Sequence, residues 1–414
     1  MTKPLIRKFK KKEETPEIDI PLAPEEEQTG RRVLSESEKR ARRARIKSFF
    51  TAFLVALVLL GAVFAVGYLY SIRDKVSARS IRNYWNSLWG IRISTDTLDW
   101  NLTDSAAFAL YQGGVLAADL SGIRLIGTDG IETSAGNHSW QDPVLEVAGT
   151  RYLVFDRSDS SFFFGEEDKE ILSSGPSGGV VRASLSDAGL TLIKSESGDL
   201  ATVEVYSNTG KLLFEYHSTE FFGAGALLSG DGKTLTFLGL SASSTSFETT
   251  VLFLDVENAE LAATVPLGEA LPLGLAELSD GVFAVITDNA LYSVERAGRL
   301  VGSTLFGSDT LSSYAFGNDF TALLFRRNQT GSRYKLVTYD SNSSPLGSIS
   351  LLHEPQAMAA EGRLVALAYE SAVDLFPAAL GSHSTTELDH YVSGIALSRE
   401  GTVLALSDGT LYLK

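Results

Sequence analysis

The sequence predicts an all-β protein, a β-propeller of eight blades with seven as the alternative, preceded by a single transmembrane helix and a disordered basic tail. Three observations carry that prediction. From residue 91 onward, apolar runs of roughly 4–8 residues rich in Val, Leu, Phe, Tyr and Thr are broken about every 8–12 residues by Gly, Asp, Asn and Ser, the pattern of short strands joined by turns. These strand pairs recur with the period of roughly 40–45 residues typical of four-stranded blades. Ahead of them stands one uncharged apolar segment of 25 residues, Ser48–Ile72.

The tail comes first. Residues 1–47 hold 14 Lys and Arg against 9 Asp and Glu, net +5, with Pro16, Pro21 and Pro24 and no sustained apolar periodicity over residues 1–30. Such a segment buries too little apolar surface to offset its ordering entropy, so residues 1–47 read as largely disordered. Ser35 and Glu38 fit a capping box, which lets a helix begin in the basic stretch SESEKRARRARIK and run on into the apolar segment.

A bilayer core about 30 Å thick needs roughly 20 apolar residues to cross it as a helix. Residues 48–72 exceed that and exceed the roughly 7–15-residue apolar region of a cleaved signal peptide, so they read as a transmembrane helix. Lys and Arg near a span favour the cytoplasmic side. The cluster that includes Arg42, Arg43, Arg45 and Lys47 outweighs Arg73, Lys75, Arg79 and Arg82, which places the N-terminus in the cytoplasm and residues 91–414 outside it. The expected location is therefore the cell membrane, single-pass, with the lipid bilayer as the partner of residues 48–72.

Residues 73–90 carry Val76, Ile81, Tyr84, Trp85, Leu88 and Trp89 at roughly helical spacing. This juxtamembrane amphipathic stalk presents aromatic groups suited to the membrane interface, and it equally suits packing on the propeller. Arg42, Arg43, Arg45, Lys47, Tyr84, Trp85 and Trp89 are the candidate membrane-interface residues.

The region after the span is acidic, with 22 Lys and Arg against 42 Asp and Glu over residues 73–414. That balance argues against nucleic acid and anionic lipid as its partner and leaves proteins, glycans or cations. The chain has no cysteine, so an exported domain must be held by its hydrophobic core alone.

Blades are marked by recurring hairpins: ASLSDAGLTLI from Ala183, ALLSGDGKTLTFL from Ala226, AELSDGVFAVI from Ala276, MAAEGRLVALAY from Met358 and IALSREGTVLALS from Ile395. With second hairpins such as VEVYSNTGKLLFEY from Val203, they set blades near 105–135, 141–173, 179–216, 223–267, 272–304, 312–351, 356–388 and 392–414. The last has three strands only, so its fourth is expected from IRISTDTLDW, from Ile91, a closure that removes the free sheet edge.

The plan is similar to WD-repeat and quinoprotein-like propellers without their signature motifs. The tail, the span and the stretch from Val115 through His138 and Pro143 to Gly149 resemble an uncharacterised bacterial family of membrane-anchored propellers, a domain of unknown function. That resemblance implies the architecture and transfers no catalytic residue.

Chemistry is sparse in the sequence. His138, His217, His353, His383 and His390 show no metal-ligand spacing, and no catalytic, cofactor-binding or metal residues are assigned. GPSGG, from Gly175 to Gly179, matches the nucleophile-elbow pattern around Ser177, but that elbow needs a helix after it and VVRASL follows. Asp129, Asp231, Asp280 and Asp408 each precede Gly and read as tight turns rather than ligands. Phe162–Phe164 cannot all enter one face of a strand, which two-sided burial explains and an exposed patch would also explain. The expected function is an interaction platform at the cell envelope for a protein or glycan. The alternatives are an enzyme whose site is assembled from several blades, or a sensor signalling to the tail.

Overall fold

The computed structural model describes Phe53 and residues 96–136, 138–176, 179–195, 198–242, 246–279, 281–327 and 333–414. The tail, the stalk and, apart from Phe53, the apolar segment lie outside the described residues, as do all seven candidate membrane-interface residues. Among the described residues no helix is long and apolar enough to cross a membrane.

The propeller has eight blades, each a four-stranded antiparallel sheet. The first strand, β1 (Thr97–Asp99), belongs to the last blade. Blade 1 is β2 (Ala107–Tyr111), β3 (Gly114–Asp119), β4 (Gly122–Ile126) and β5 (Glu132–Ala135). Blade 2 is β6 (Pro143–Ala148), β7 (Arg151–Asp156), β8 (Phe162–Glu166) and β9 (Lys169–Ser174). Blade 3 is β10 (Val180–Ser186), β11 (Gly189–Lys194), β12 (Ala201–Ser207) and β13 (Leu212–Ser218). Blade 4 is β14 (Phe222–Leu228), β15 (Thr234–Ala242), β16 (Phe247–Asp255) and β17 (Glu260–Gly268). Blade 5 is β18 (Pro272–Ser279), β19 (Val282–Thr287), β20 (Ala290–Glu295) and β21 (Arg299–Leu305). Blade 6 is β22 (Thr310–Phe316), β23 (Phe320–Arg326), β24 (Tyr334–Asp340) and β25 (Pro345–Leu351). Blade 7 is β26 (Ala357–Glu361), β27 (Leu364–Ala368), β28 (Ala372–Pro377) and β29 (Ser384–Glu387). Blade 8 is β30 (Gly394–Leu397), β31 (Val403–Ser407) and β32 (Thr410–Leu413), completed by β1.

Eight blades are thus found rather than seven, and the ring closes as the three-stranded end of the sequence requires. Thr97, Leu98 and Asp99 pair with Tyr412, Leu411 and Thr410. Leu98 and Trp100 pack with Leu404 and Leu411 of blade 8 and with Val115 and Ile126 of blade 1. The β31–β32 hairpin turns on Asp408 and Gly409, at φ +46° and +79°, the left-handed pair that a two-residue hairpin of this hand needs.

The core is divided among the junctions between blades. Strand alternation sends successive side chains to opposite faces of a sheet, and in this ring both faces meet a neighbour. In β7, Tyr152 and Val154 pack toward blade 1 while Leu153 and Phe155 pack toward blade 3. The phenylalanine triplet follows suit: Phe163 joins the blade 1 cluster, Phe162 and Phe164 the blade 3 cluster, and all three are buried. Two-sided burial accounts for the run, and the exposed-patch reading of it fails.

Outer strands are clasped by the turn of the following blade. A Cβ at Gly302 on β21 would collide with the Asn342 carbonyl between β24 and β25, and one at Gly347 on β25 would collide with the Ala379 carbonyl of blade 7. Only glycine permits that backbone approach.

Two substitutions test this account. Leu411→Ala, at a fully buried position of the closing sheet, should cost about 2–5 kcal/mol, and Gly302→Ala about 1–3 kcal/mol through overpacking. The midpoint of urea unfolding reads both; unchanged midpoints would mean that closure and clasping contribute little.

Candidate functional site

The first strands of the blades are neighbours around the ring, β2 beside β6, β6 beside β10, β10 beside β14, β14 beside β18, and β22, β26 and β30 in turn. They therefore line the central channel. Side chains on them tie one blade to the next: Glu146 on β6 accepts from the Leu185 amide at 2.7 Å, Ser184 donates to Ala226 O and Arg182 to Ala224 O. Across blades 5 and 6 the Tyr314 hydroxyl donates to Leu273 O at 2.6 Å.

Between these strands lies a cavity of about 240 Å³, with Glu146, Arg182, Leu275, Tyr314 and Phe316 among its walls. It shares Glu146 and Phe316 with a cavity of about 460 Å³ that Asp187, Glu277 and Arg399 also line. That cavity opens through shared walls into a mouth of about 900 Å³ walled by residues of blades 2 to 8. The mouth lies at the end of the channel where first and second strands turn back.

Its charges come mostly from those turns. Asp187, Asp231 and Arg399 sit between the first and second strands of blades 3, 4 and 8, Glu361 ends β26, and Glu277 lies on β18. Arg296 reaches in from the turn between β20 and β21 and holds Asp231 at 2.8 Å and Glu277 at 3.1 Å. Glu277 also accepts from the Gly230 amide at 3.0 Å, and Arg399 holds Glu361 at 2.9 Å. The Ser229 hydroxyl, against some burial and with help from Arg296, holds the Asp231 carboxyl down at about 2. Asp187 is exposed, with no ion-pair or hydrogen-bond partner among the described residues. Deeper in, burial pushes the half-buried Glu146 carboxyl up to about 7 against the Leu185 amide and Arg182, which favour its anion.

The sequence matches the family of unknown function DUF5711 over residues 92–379, 288 of its 414 residues. The chain belongs to that family. No curated protein matches it. Among solved structures, it is similar to the computationally designed Ika8 protein, at 13% identity and TM-score 0.54, over 74% of this chain and 94% of that one. The Dos1 propeller is similar at 11% identity and TM-score 0.54, over 79% and 96%. Sqt1 from Chaetomium thermophilum is similar at 14% identity and TM-score 0.51, over 78% and 98%. At these identities the likeness is one of fold.

The opposite end of the DUF5711 propeller carries a second polar group. Its histidine stands 18 and 21 positions ahead of its two aspartates, which is why no ligand motif announces them. His138, Asp156 and Asp159 have ligand atoms within 4.8 Å of one another. The hydrogen bonds identify a brace between the lead-in to blade 2 and the turn between β7 and β8. Asp156, fully buried, accepts from the amides of Gln141 at 2.6 Å, Ser158 at 2.8 Å and Asp142 at 3.2 Å. Burial raises the Asp156 carboxyl, and these bonds outweigh it, so the pKa lies below the ordinary value. With Nε2 protonated, His138 donates to Ser161 Oγ at 2.7 Å and to Asp159 at 3.1 Å, while Ser161 donates to Asp159 at 2.5 Å. Three of the roughly four lone-pair sites of Asp156 are taken by amides, which leaves a cation little to bind.

Other expectations fall into place. His217 lies beside Asp199 and Glu215, and His383 and His390 stack on Phe376 and Tyr412. Ser177 and Asp280 lie outside the described residues, and strand β10, not a helix, follows Gly179. Asp231 is more than the turn residue expected, because it also holds Arg296. The signal for the mouth was present in the repeats themselves: SDAG, SGDG, AEG and SREG place a charged residue at the first turns of blades 3, 4, 7 and 8.

Two outcomes are expected. Asp156→Ala should lower stability by on the order of 3 kcal/mol, because buried amides lose their acceptor, whereas added Zn²⁺ should leave the thermal midpoint of the unaltered protein in place; a saturable rise would make the brace a metal site. Glu146, with its pKa raised from 4.5 to about 7, holds its proton in the folded state after the unfolded chain has lost it. The unaltered protein should therefore lose stability relative to Glu146→Gln as pH rises from about 4.5 to about 7. Parallel pH profiles would show that Glu146 ionises freely.

Proposed function

We propose that this propeller is a protein-interaction platform at the cell envelope, held to the membrane by residues 48–72 and displayed outside the cytoplasm. The observation that carries the reading is the mouth, a concave polar surface to which seven of the eight blades contribute and in which Arg296 and Arg399 hold Asp231, Glu277 and Glu361 in ion pairs. Broad surfaces of turns on a rigid scaffold suit recognition of an extended partner. One propeller of similar fold, Sqt1, is bound in one structure to the N-terminus of the ribosomal protein L10, at TM-score 0.50 and 14% identity. The 25 uncharged residues at 48–72 and the basic residues before them support the anchor and its orientation. A glycan is the second partner class, and it would use the same polar mouth.

Two measurements test the proposal. Protease added to intact cells should digest residues 91–414 and spare an epitope on residues 1–47; protection until lysis would reverse the orientation. A photo-crosslinking residue at the exposed mouth position Asn318 should give a discrete protein adduct in cells, and one at Leu346 on the circumference should not. Equal labelling from both positions would rule out the mouth as the recognition surface.

A further inference from the structure

Exposed apolar side chains gather at the end of the ring opposite the mouth, where blades 4 and 5 meet. Phe222 opens β14, Phe247 opens β16, Leu271 and Leu273 flank the start of β18 and Leu305 closes β21, with exposures from 36% to 74%. Single exposed leucines are ordinary, whereas these side chains together leave several hundred Å² of apolar surface at one junction. Strand pairing places them there. Phe222 stands opposite Leu240 and Phe247 opposite Ala242, two residues apart on β15, so both phenylalanines share the sheet face on which Leu238 packs toward blade 5. Leu305 stands opposite Ala290, on the face from which Tyr292 and Val294 pack toward blade 4. The strip is thus the open end of a hydrophobic junction. Its connector is bonded to both blades: Thr249 Oγ1 donates to Ala270 O at 2.7 Å, the Leu271 amide to Asp288 Oδ1 at 2.8 Å and the Asp288 amide to Leu271 O at 3.0 Å.

The rim of the strip carries one sign of charge. Residues 219–223, 240–250, 268–274, 287–290 and 305–311, the loops and strand ends at this end of blades 4 and 5, hold Glu220, Glu248, Glu269, Asp288 and Asp309 and neither Lys nor Arg. Glu220, Glu248 and Glu269 are exposed and form no ion pair among the described residues. We infer that this junction is a docking site for an amphipathic helix of a partner protein, with apolar residues on Phe222, Phe247, Leu271 and Leu305 and Lys or Arg beside the three glutamates. The site stands apart from the mouth, at the other end of the ring.

Spacing and charge select that occupant. Alternate strands such as β14 and β16 stand about 10 Å apart, the span between the first and last anchors of an i, i+4, i+7 helix. Apolar anchors supply the affinity, and the acidic rim discriminates among apolar partners. An anionic lipid surface would meet these carboxylates with no cation between. A second copy seated face to face would set the same carboxylates against one another, because a two-fold contact uses one patch twice. A basic flank on a foreign helix answers both objections.

The test uses the full chain in phosphatidylcholine nanodiscs and a fluorescein-labelled helical peptide with Leu on one face and Lys on its flanks, followed by anisotropy against empty discs. Saturable binding is expected. Phe247→Ala and Leu305→Ala should each weaken it about fivefold, and Glu248→Lys combined with Glu269→Lys about tenfold at low salt and less at high salt. Leu212→Ala, at an exposed leucine on the outer strand of blade 3, should leave it within about twofold. All these side chains are exposed, so an unchanged urea midpoint verifies that each variant is folded. Absence of saturable binding, or equal weakening by Leu212→Ala, would overturn the assignment. Equal binding of a peptide with Glu in place of Lys, or with Ala in place of Leu, would overturn it too, by removing the charge or the apolar half of the recognition. A mass that doubles with concentration, lost in Phe247→Asp, would give the face to a second copy; cosedimentation with phosphatidylglycerol vesicles, lost in the same variant, would give it to lipid. Each result would displace the partner helix and leave the Asn318 crosslink at the mouth as it was.

Discussion

Everything in this propeller depends on sheets that are buried on both faces. Each of the eight hydrophobic clusters draws residues from two adjacent blades, so no blade owns a core and none can be removed without exposing two neighbours. The stabilising term is the ordinary transfer of apolar side chains out of water. What is unusual is its distribution: the last junction forms only when Leu98 and Trp100, some three hundred residues from Leu404 and Leu411 in sequence, come home. Closure of a loop that long costs little more entropy than closure of a short one, because the cost grows only logarithmically with length. A cysteine-free ring can therefore be completed by hydrophobic contact and three paired residues.

That constraint explains which parts of the structure were readable in advance. Strands buried on both faces give apolar runs, and the turns between them must carry Gly, Asp, Asn and Ser, so blade 4, expected at 223–267, is found from Phe222 to Gly268. The missing fourth strand of the last blade was equally legible, because an unpaired edge in an otherwise closed ring is a strong demand on the sequence. Phe162–Phe164 made the same point in miniature, since three consecutive aromatics are tolerable only where a sheet has two dry faces.

The mouth was legible only as turns. Asp231 was assigned its conformational duty and not its electrostatic one, because Arg296 meets it from a turn 65 positions later and no spacing rule links them. His138 and Asp159 pose the same difficulty, with the His in the lead-in to a blade and the Asp in a turn of that blade. Propeller sites are assembled around an axis, whereas motifs are read along a chain. The useful sequence signal is instead a change of residue class at one position of the repeat: a carboxylate at Glu146 in an inner strand, or a charge where the turn requires only small residues.

The division between strand and turn also bears on how such a protein can diverge. Identities of 11–14% to propellers that superpose at TM-scores of 0.51–0.54 mean that one backbone plan is met with almost entirely different side chains. Interior positions can exchange one apolar residue for another of similar volume, but each exchange is checked by the facing blade. Turn residues at the mouth face water and answer to no such neighbour, except where they hold one another. Arg296 with Asp231, and Arg399 with Glu361, join different blades, and Glu277 holds Arg296 within its own blade, so the surface is rigid as well as charged. Long exposed side chains held in this way lose their rotamer freedom on folding rather than on binding, which lowers the entropic cost of recognition.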